Sequence, residues 1–427
     1  MLFSSPCTHL DVALTATLVA GLALLPARQL LAVEEGADFA TFSVDLRERA
    51  TYVSAIEYDN NDPRAGWFWT QRLNVVGDFR LASAWTARIA LLSALQEGGD
   101  ISPVERNNLA VQEGFIEYTN GRSSLRLGRQ EIRLGSQRLV GWRDGTNVRR
   151  TWDGVRYRYD GGTWQVDAIG LQLVDVETDG AFNDSSDDDR VLAGIYATTS
   201  RNWSSLDIYY LYSGFDERAT IQGTADQRRH SIGARVFGDS GGWFWNWEAV
   251  YQFGDLGADD ISAWTLATNT GYRFDAAWSP SVMLSVNVAS GDDDPTDNTF
   301  RTFDALYPRG SYFSELAQLG PANFFNLNPY LSIQPVETLS VTFDLDLYWR
   351  LETADGVYAP PGNIIRLPAG STERFVNSAL SAAIEWEATE TVFLGLSLTY
   401  SRPEAFLEDT GPADDTSFAE FTFEMNF

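Results

Sequence analysis

The sequence predicts an all-β protein: a single transmembrane antiparallel β-barrel of about 18 strands, with 16 as the alternative, of the bacterial outer-membrane type. Three observations predict it. Apolar and polar residues alternate with period 2 from end to end, while helical period 3.6 is nearly absent. The alternating segments run for about 9–12 residues, the length a tilted strand needs to cross a bilayer, where soluble strands average about 5–6. Aromatic residues, 13% of the chain, gather at segment ends, as interfacial girdles require.

The first segment reads as an export signal. Val12 to Leu25 is an apolar run too short to span a bilayer as a helix, which needs about 20 residues. Small residues and an acidic stretch follow, so residues 1–32 are assigned to a signal peptide cleaved after Ala32, and residues 33–427 to one barrel domain. The single cysteine, Cys7, falls in the signal, so the mature chain has no disulfide framework. No later segment is long and apolar enough for a membrane helix.

Eighteen strands are expected to begin near Phe39, Phe68, Trp85, Val111, Ser124, Thr151, Thr163, Arg190, Ser204, Arg228, Trp243, Ile261, Ser281, Asn323, Leu339, Arg374, Thr391 and Ser417. In "WFWNWEAVYQF", Trp243, Trp245, Trp247, Ala249, Tyr251 and Phe253 share one face, and Asn246, Glu248 and Gln252 take the other. In "VTFDLDLYWRL", Phe343, Leu345, Leu347, Trp349 and Leu351 oppose Thr342, Asp344, Asp346, Tyr348 and Arg350. The closing "FAEFTFEMNF" alternates in the same way and ends on Phe427, like the last strand of outer-membrane barrels. Short links such as Asp160–Gly162 and Gly238–Gly242 suit periplasmic turns; the acidic links Asp175–Asp189, Gly291–Asn298 and Glu408–Asp415 suit outer loops. Those Asp-rich loops are the only stretches with the chemistry for Ca²⁺, and solvated loops are the favoured reading; no cofactor is expected.

Charge narrows the function. The chain carries a net −28, which argues against nucleic-acid binding, and all 31 of its basic residues are arginine. Yet residues 122–158 hold ten arginines against three acids, Glu131, Asp144 and Asp153. Alternation turns Arg126, Arg156 and Arg158 into the lumen, together with Arg47, Arg49, Arg72, Arg80, Arg88, Arg229, Arg235 and Arg350. The lipid-facing alternative costs about 2–4 kcal/mol per arginine at the midplane. Such a ladder attracts anions, and the planar guanidinium fork suits carboxylates. Lumenal acids, among them Glu131, Asp153, Asp344, Asp346 and Glu248, are expected to hold individual arginines in place. An arginine path for anions is favoured over pure bracing. Strict alternation turns Arg129 toward lipid, and a β-bulge near Gly128 is the expected means of bringing it inward.

Four stretches, "LRLGRQEIRLGSQRLVG", "RRTWDGVRYRY", "LYPRGSYF" and "YWRLETADGVYAPPGNIIR", resemble the alginate export family of outer-membrane proteins, and the resemblance runs from about Phe39 to Phe427. It implies a monomeric barrel with a constriction of basic residues that passes an anionic polysaccharide, alginate or a similar polyuronate, out of the cell. Arg129, Arg150, Asp153, Arg350, Asp355, Gly356 and Tyr358 fall on the family's recognisable positions. The implied surroundings are outer-membrane lipid, lipopolysaccharide and periplasmic export components. The expected path is Arg47, Arg88, Arg126, Arg129, Arg150, Arg156, Arg158 and Arg350, positioned by Glu131, Asp153 and Asp344. An uptake porin for anions or sugars is the alternative reading. An enzyme is not expected, because the mature chain has one histidine, His230, and no partner for it.

Overall fold

The computed structural model describes residues 39–427 except Asn202, Tyr312 and Pro361. The signal sequence with its cleavage site lies outside the described residues. The strands in chain order begin with β1 (Ala40–Val53), β2 (Gly66–Ala82), β3 (Trp85–Glu97), β4 (Asn107–Asn120), β5 (Ser123–Gln130), β6 (Trp152–Asp160) and β7 (Trp164–Asp175). They continue with β8 (Ser185–Arg201), β9 (Ser204–Thr220), β10 (Gly223–Ser240), β11 (Trp243–Leu256), β12 (Asp259–Arg273), β13 (Ser281–Ala289) and β14 (Thr299–Phe300). The last are β15 (Phe324–Val336), β16 (Leu339–Arg350), β17 (Val357–Tyr358), β18 (Ile364–Arg366), β19 (Phe375–Glu387), β20 (Val392–Pro403) and β21 (Thr416–Asn426), with one short helix, α1 (Ala405–Thr410), before β21.

Eighteen of these strands pair antiparallel, each with its chain neighbour, and β21 pairs with β1 to close the barrel. Closure removes the sheet edges that lipid cannot solvate. Strands β14, β17 and β18 are short pieces within the loops, β14 lying parallel to β12. Every expected strand start falls within five residues of the first residue of a barrel strand.

Alternation becomes inside and outside. On β11, Trp243, Trp247, Tyr251 and Phe253 are exposed on the outer surface, while Glu248, Val250 and Gln252 are buried inside. His230 also sits outside, its Nδ1 2.7 Å from the Tyr210 hydroxyl and its ring stacked on Phe253.

Strand lengths depart from a uniform 9–12, ranging from 8 residues in β5 to 18 in β10. The short pair β5 and β6 ends early because the chain turns into the lumen after Gln130 and returns at Thr151. One end of the barrel carries the chain ends of β1 and β21 and the tight turns, which is the periplasmic end of such barrels. The other end carries the long links, except for two-residue turns after β9 and β11.

The core is unusual for a pore-sized barrel. Three of the long links, residues 131–151, 301–323 and 351–374, fold inward. Ile132, Val140, Phe303, Tyr307, Val357 and others of their residues pack with wall side chains such as Trp152, Phe324 and Tyr348 into one apolar cluster inside the barrel.

Candidate functional site

The inner wall divides into two chemistries. From β1 to β7 it is charged. Register sets Arg126 opposite both Glu117 and Arg156, and Arg158 opposite Asp167. The resulting pairs are close: Arg126 to Glu117 at 2.6 Å, Arg156 to Asp167 at 2.7 Å and Arg158 to the same carboxylate at 3.0 Å. Arg88 forks onto Asp78 at 2.8 and 2.9 Å and reaches Glu113 at 3.2 Å. Phe115 lies beneath the Arg126 guanidinium, 4.0 Å from it. From β12 to β20 the inward face is mostly amide and hydroxyl, with Asn269, Ser285, Asn287, Asn326, Asn328, Ser381 and Thr399 pointing in beside the acids Asp344, Asp346 and Glu385.

The first inward loop is held by both walls. Arg47 donates to the carbonyls of Asp144 (2.9 Å) and Thr146 (2.6 Å), and Arg49 to that of Gly145 (2.5 Å). Two wall arginines thus hold three consecutive carbonyls. Asn147 adds a bond to the Gln71 carbonyl at 2.8 Å. At the loop's tip, Ser136 and Arg138 reach Glu248 on β11 at 2.6 and 3.1 Å. Gly135 makes this approach possible: its φ is +50°, and a Cβ there would stand 1.9 Å from the Tyr196 hydroxyl. The second inward loop is zipped onto the first, with Tyr307 N to Leu139 O at 2.9 Å, Gly141 N to Tyr307 O at 2.9 Å and Arg309 N to Gln137 O at 3.1 Å.

Where the loops meet this wall they leave a cavity of 420 Å³. Arg138 and Arg309 line it together with Asp344, Glu315 and Glu385. Arg309 is exposed and lines this space, and among the described residues its guanidinium has no hydrogen bond or ion pair. Burial, reinforced by Glu420, pushes the Glu315 carboxyl above its ordinary range, with Arg49 and Arg309 acting against that shift. Arg133, on the first loop, is likewise exposed and has no carboxylate partner; it stacks on Trp142 at 4.5 Å.

The structure sorts the expected path residues into three groups. Arg88, Arg126, Arg156 and Arg158 face the lumen, each paired with wall carboxylates. Arg47, Arg150 and Arg350 are buried braces. Arg150 donates from one nitrogen to the carbonyls of Gly141, Tyr307 and Pro308. Arg350 lies over the Phe406 ring at 4.1 Å and donates to the carbonyls of Glu373, Thr353, Asp355 and Ser371, holding the third inward loop. Neither can meet a passing anion in this arrangement.

Arg129 forms the third group, and here the expected bulge is corrected. The β4–β5 and β5–β6 ladders run through Gly128 with no register shift. Trp152 and Gln130 are buried on the inner side, so alternation leaves Arg129 and its cross-strand neighbour Asp153 on the outer face. They pair there at 2.9 Å through both guanidinium arms, Asp153 also accepting from Ser186 at 2.8 Å. Gly128 and Gly154 face each other with φ of +125° and +154°, where added Cβ atoms would lie 2.3 and 2.2 Å from neighbouring carbonyl oxygens. The glycines serve close packing of the strands.

Two of the positioning acids are corrected as well. Asp344 is held by Asn328 at 3.1 Å, and its neighbour on that face, Asp346, by Asn326; neither holds an arginine. Glu131 accepts from Gln112 at 3.0 Å, and burial pushes its carboxyl up to about 7. Sequence reasoning missed Arg133, Arg138 and Arg309 as inner-loop cations, although the first two lie in the basic block and the third in "LYPRGSYF". A helix- and strand-free stretch offers no alternation from which to read direction. Among the described residues no group of three or more His, Cys, Asp or Glu forms a metal cluster. Asp292, Asp294 and Asp297 each accept from the backbone amide two residues on.

A closed 18-strand barrel with aromatic girdles outside and a polar, loop-lined lumen defines a channel protein of the bacterial outer membrane. The chain belongs to the alginate export family, which it matches over residues 39–415. Similar solved structures include outer-membrane porins. OccK2 (OpdF) of Pseudomonas aeruginosa, determined in complex with glucuronate, aligns with a TM-score of 0.62 at 12% identity, over 91% of this chain and 98% of that one. A BenF-like porin of Pseudomonas fluorescens Pf-5 aligns at 0.62 and 10% identity, over 91% and 99%. OccAB1 of Acinetobacter baumannii aligns at 0.63 and 12%, over 91% and 96%. No curated protein sequence matches the chain. Family and fold are those of channels, not of enzymes.

Proposed function

We propose that the protein is an anion-selective channel that passes an alginate-like polyuronate out of the cell along its inner-loop and wall arginines. The observation that carries this reading is the pair Arg133 and Arg309: two exposed cations on inward loops, with no carboxylate at ion-pair distance among the described residues, in a chain of net charge −28. A protein this acidic has carboxylates to spare, and it pairs the lumen-facing wall arginines Arg88, Arg126, Arg156 and Arg158 with them. Unneutralised guanidiniums inside low-dielectric walls raise the local anion concentration, and screening over about 8 Å at physiological salt keeps that effect local.

The paired arginines of β3 to β6 extend the path toward the periplasm. Arg156 and Arg158 share Asp167 and Arg88 divides between Asp78 and Glu113, so a uronate can exchange with a wall acid without binding too tightly to leave, as multi-site conduction requires. A polymer needs more width than the loop-filled lumen offers, so the zipped loops 131–151 and 301–323 move aside as one unit during passage.

The test is the reversal potential of the purified protein in planar bilayers under a KCl gradient, followed by block with oligouronates added to either side. Anion selectivity with block from the periplasmic side is the expected result. Cation selectivity would overturn the proposal, and block only by small sugars from the outer side would favour uptake.

A further inference from the structure

The apolar band around the barrel is uneven in height. At the periplasmic end the aromatic girdle runs unbroken past β3 to β7, with Trp85 and Tyr118 4.9 Å apart and Tyr157, Tyr159 and Trp164 exposed on the outer face. At the other end a second girdle is made by Tyr52 with Trp67, by His230 with Tyr212 and Phe253, and by Trp349 with Phe325 and Phe375. Between the first and second of these groups it breaks. Among the described residues no aromatic side chain stands on the outer face at the outer ends of β5, β6 and β7.

Polar groups stand there instead. Along the outward-facing residues, the first charged or amide side chain comes six residues above the periplasmic girdle on β6 (Tyr159 to Asp153) and eight on β7 (Trp164 to Gln172). On β11 it comes twelve residues above (Trp243 to Asp255). At about 3.3 Å per residue and a strand tilt of about 40°, these are heights of about 15, 20 and 30 Å, against an apolar band of about 25 Å in such barrels. Tilting the whole barrel does not remove the difference, because both boundaries lie on the same strand. The low boundary is also built. Arg129 and Asp153 pair through both guanidinium arms at 2.9 Å, Ser186 joins them at 2.8 Å, and Gln172 donates to Asp188 at 3.2 Å. The link after β7 lies over them, with Arg129 reaching the Asp184 carbonyl at 3.4 Å and the Phe182 amide donating to the Leu109 carbonyl at 2.8 Å. That link carries Glu177, Asp179 and Asp184 on irregular backbone, which lipid tails cannot solvate.

We propose that β5 to β7 hold the outer membrane thin, the head groups of the outer leaflet stepping down by about 5–10 Å to meet Arg129, Asp153 and Gln172. The occupant of this face is lipid and not a protein, because the ion pair is satisfied within the chain and leaves no open partner for a second one, while head groups and water solvate it as it stands. The cause lies in the path of the chain. Residues 131–151 leave the wall for the lumen, so the apolar outer positions that would have continued β5 and β6 are missing. A bilayer meets a short apolar band by thinning, at a modest cost per ångström.

Nitroxide depth measurements on the full chain in dioleoylphosphatidylcholine vesicles test this. The sequence has one cysteine, Cys7, so in a Cys7→Ser background labels can be introduced singly. Gln172→Cys and Tyr251→Cys both stand eight residues above the girdle. The label at 251 should be relaxed chiefly by oxygen, which collects among lipid tails, and the label at 172 chiefly by a water-soluble nickel chelate. Val166→Cys and Trp245→Cys, two residues above the girdle, should lie at equal depth. Adding Arg129→Leu with Asp153→Leu should shift the label at 172 toward oxygen; if that chain fails to assemble, the four labels decide alone. Oxygen relaxation at 172 equal to that at 251 would overturn the proposal, and so would a label at 166 lying deeper than that at 245, the sign of a tilted barrel. A label at 172 reached by neither relaxant and broadened by a second nitroxide would put another copy of the chain on this face, overturning it equally. None of these outcomes depends on the selectivity of the channel.

Discussion

Arg138 Nη1 lies 3.1 Å from Glu248 Oε2, which joins the tip of the first inward loop to β11, far round the barrel from where that loop leaves the wall. Glu248 is buried and accepts from Ser136 at 2.6 Å and Tyr209 at 2.7 Å as well. Three donors on one carboxylate make it the loop's anchor. Removing it leaves a guanidinium and two hydroxyls without their acceptor, at about 2 kcal/mol or more. Glu248→Ala should therefore speed amide exchange in residues 131–151 by about 30-fold and add open-channel noise, because local opening is set by that free energy. Exchange unchanged from wild type would show the loop held elsewhere.

The ten arginines of residues 122–158 show what was legible in the sequence and what was not. On strands, period 2 sufficed: Arg126, Arg156 and Arg158 stand inside, and Leu125, Leu127, Val155 and Tyr157 outside. Their acids, Glu117 and Asp167, lie outside the block on neighbouring strands, so counting charge within the block overstated its excess. In the loop between, direction depends on what the chain meets across the lumen, and no local pattern encodes that. Arg150 meets carbonyls of a loop more than 150 residues on, and Arg138 meets a strand about 110 residues on. Arg129 is the instructive case, since alternation was right and the bulge invoked against it does not exist.

That placement separates two kinds of arginine experimentally. Arg129→Gln lies on the outer face, so anion selectivity in planar bilayers should equal that of the wild type. Arg133→Gln with Arg309→Gln removes two unneutralised cations from the lumen, and the reversal potential should move toward zero, more at low salt than at high. A larger shift from Arg129→Gln than from the pair would place the selective site at the outer rim.

Arg350 should be intolerant even of lysine. Its guanidinium serves four carbonyls of the third inward loop in fixed directions, Glu373 at 2.6 Å and Thr353 at 2.9 Å among them. An ammonium has three donors on one atom and cannot span them. Both Arg350→Lys and Arg350→Ala should leave a heat-modifiable barrel but expose residues 351–374 to external protease. Protection equal to wild type in the lysine variant would mean that charge alone, not the fork, holds the loop.

The outer loops should tighten as pH falls below about 6. Asp292, in the link after β13, has both oxygens engaged, by Gln222 at 2.7 Å and the Asp294 amide at 3.2 Å, with Arg301 at 3.8 Å. Its own backbone amide donates to Asp355 at 2.9 Å, and Asp355 is held by Thr302 and Tyr358. Burial, with the Asp355 charge nearby, pushes the Asp292 carboxyl up to about 6 from an ordinary 3.8. A carboxyl whose folded pKa is raised contributes stability that is complete below the unfolded pKa and is lost as pH rises through the folded one. The window is therefore about pH 4 to 6, with the loop contacts weaker at pH 7 than at pH 5. Amide exchange in residues 290–302 and 351–358, corrected for intrinsic rate, should slow between pH 7 and pH 5. In Asp292→Asn, which is neutral throughout, that change should shrink. Faster corrected exchange at pH 5 in the wild type would mean that the Arg301 contact outweighs burial and that the Asp292 charge holds the loops together.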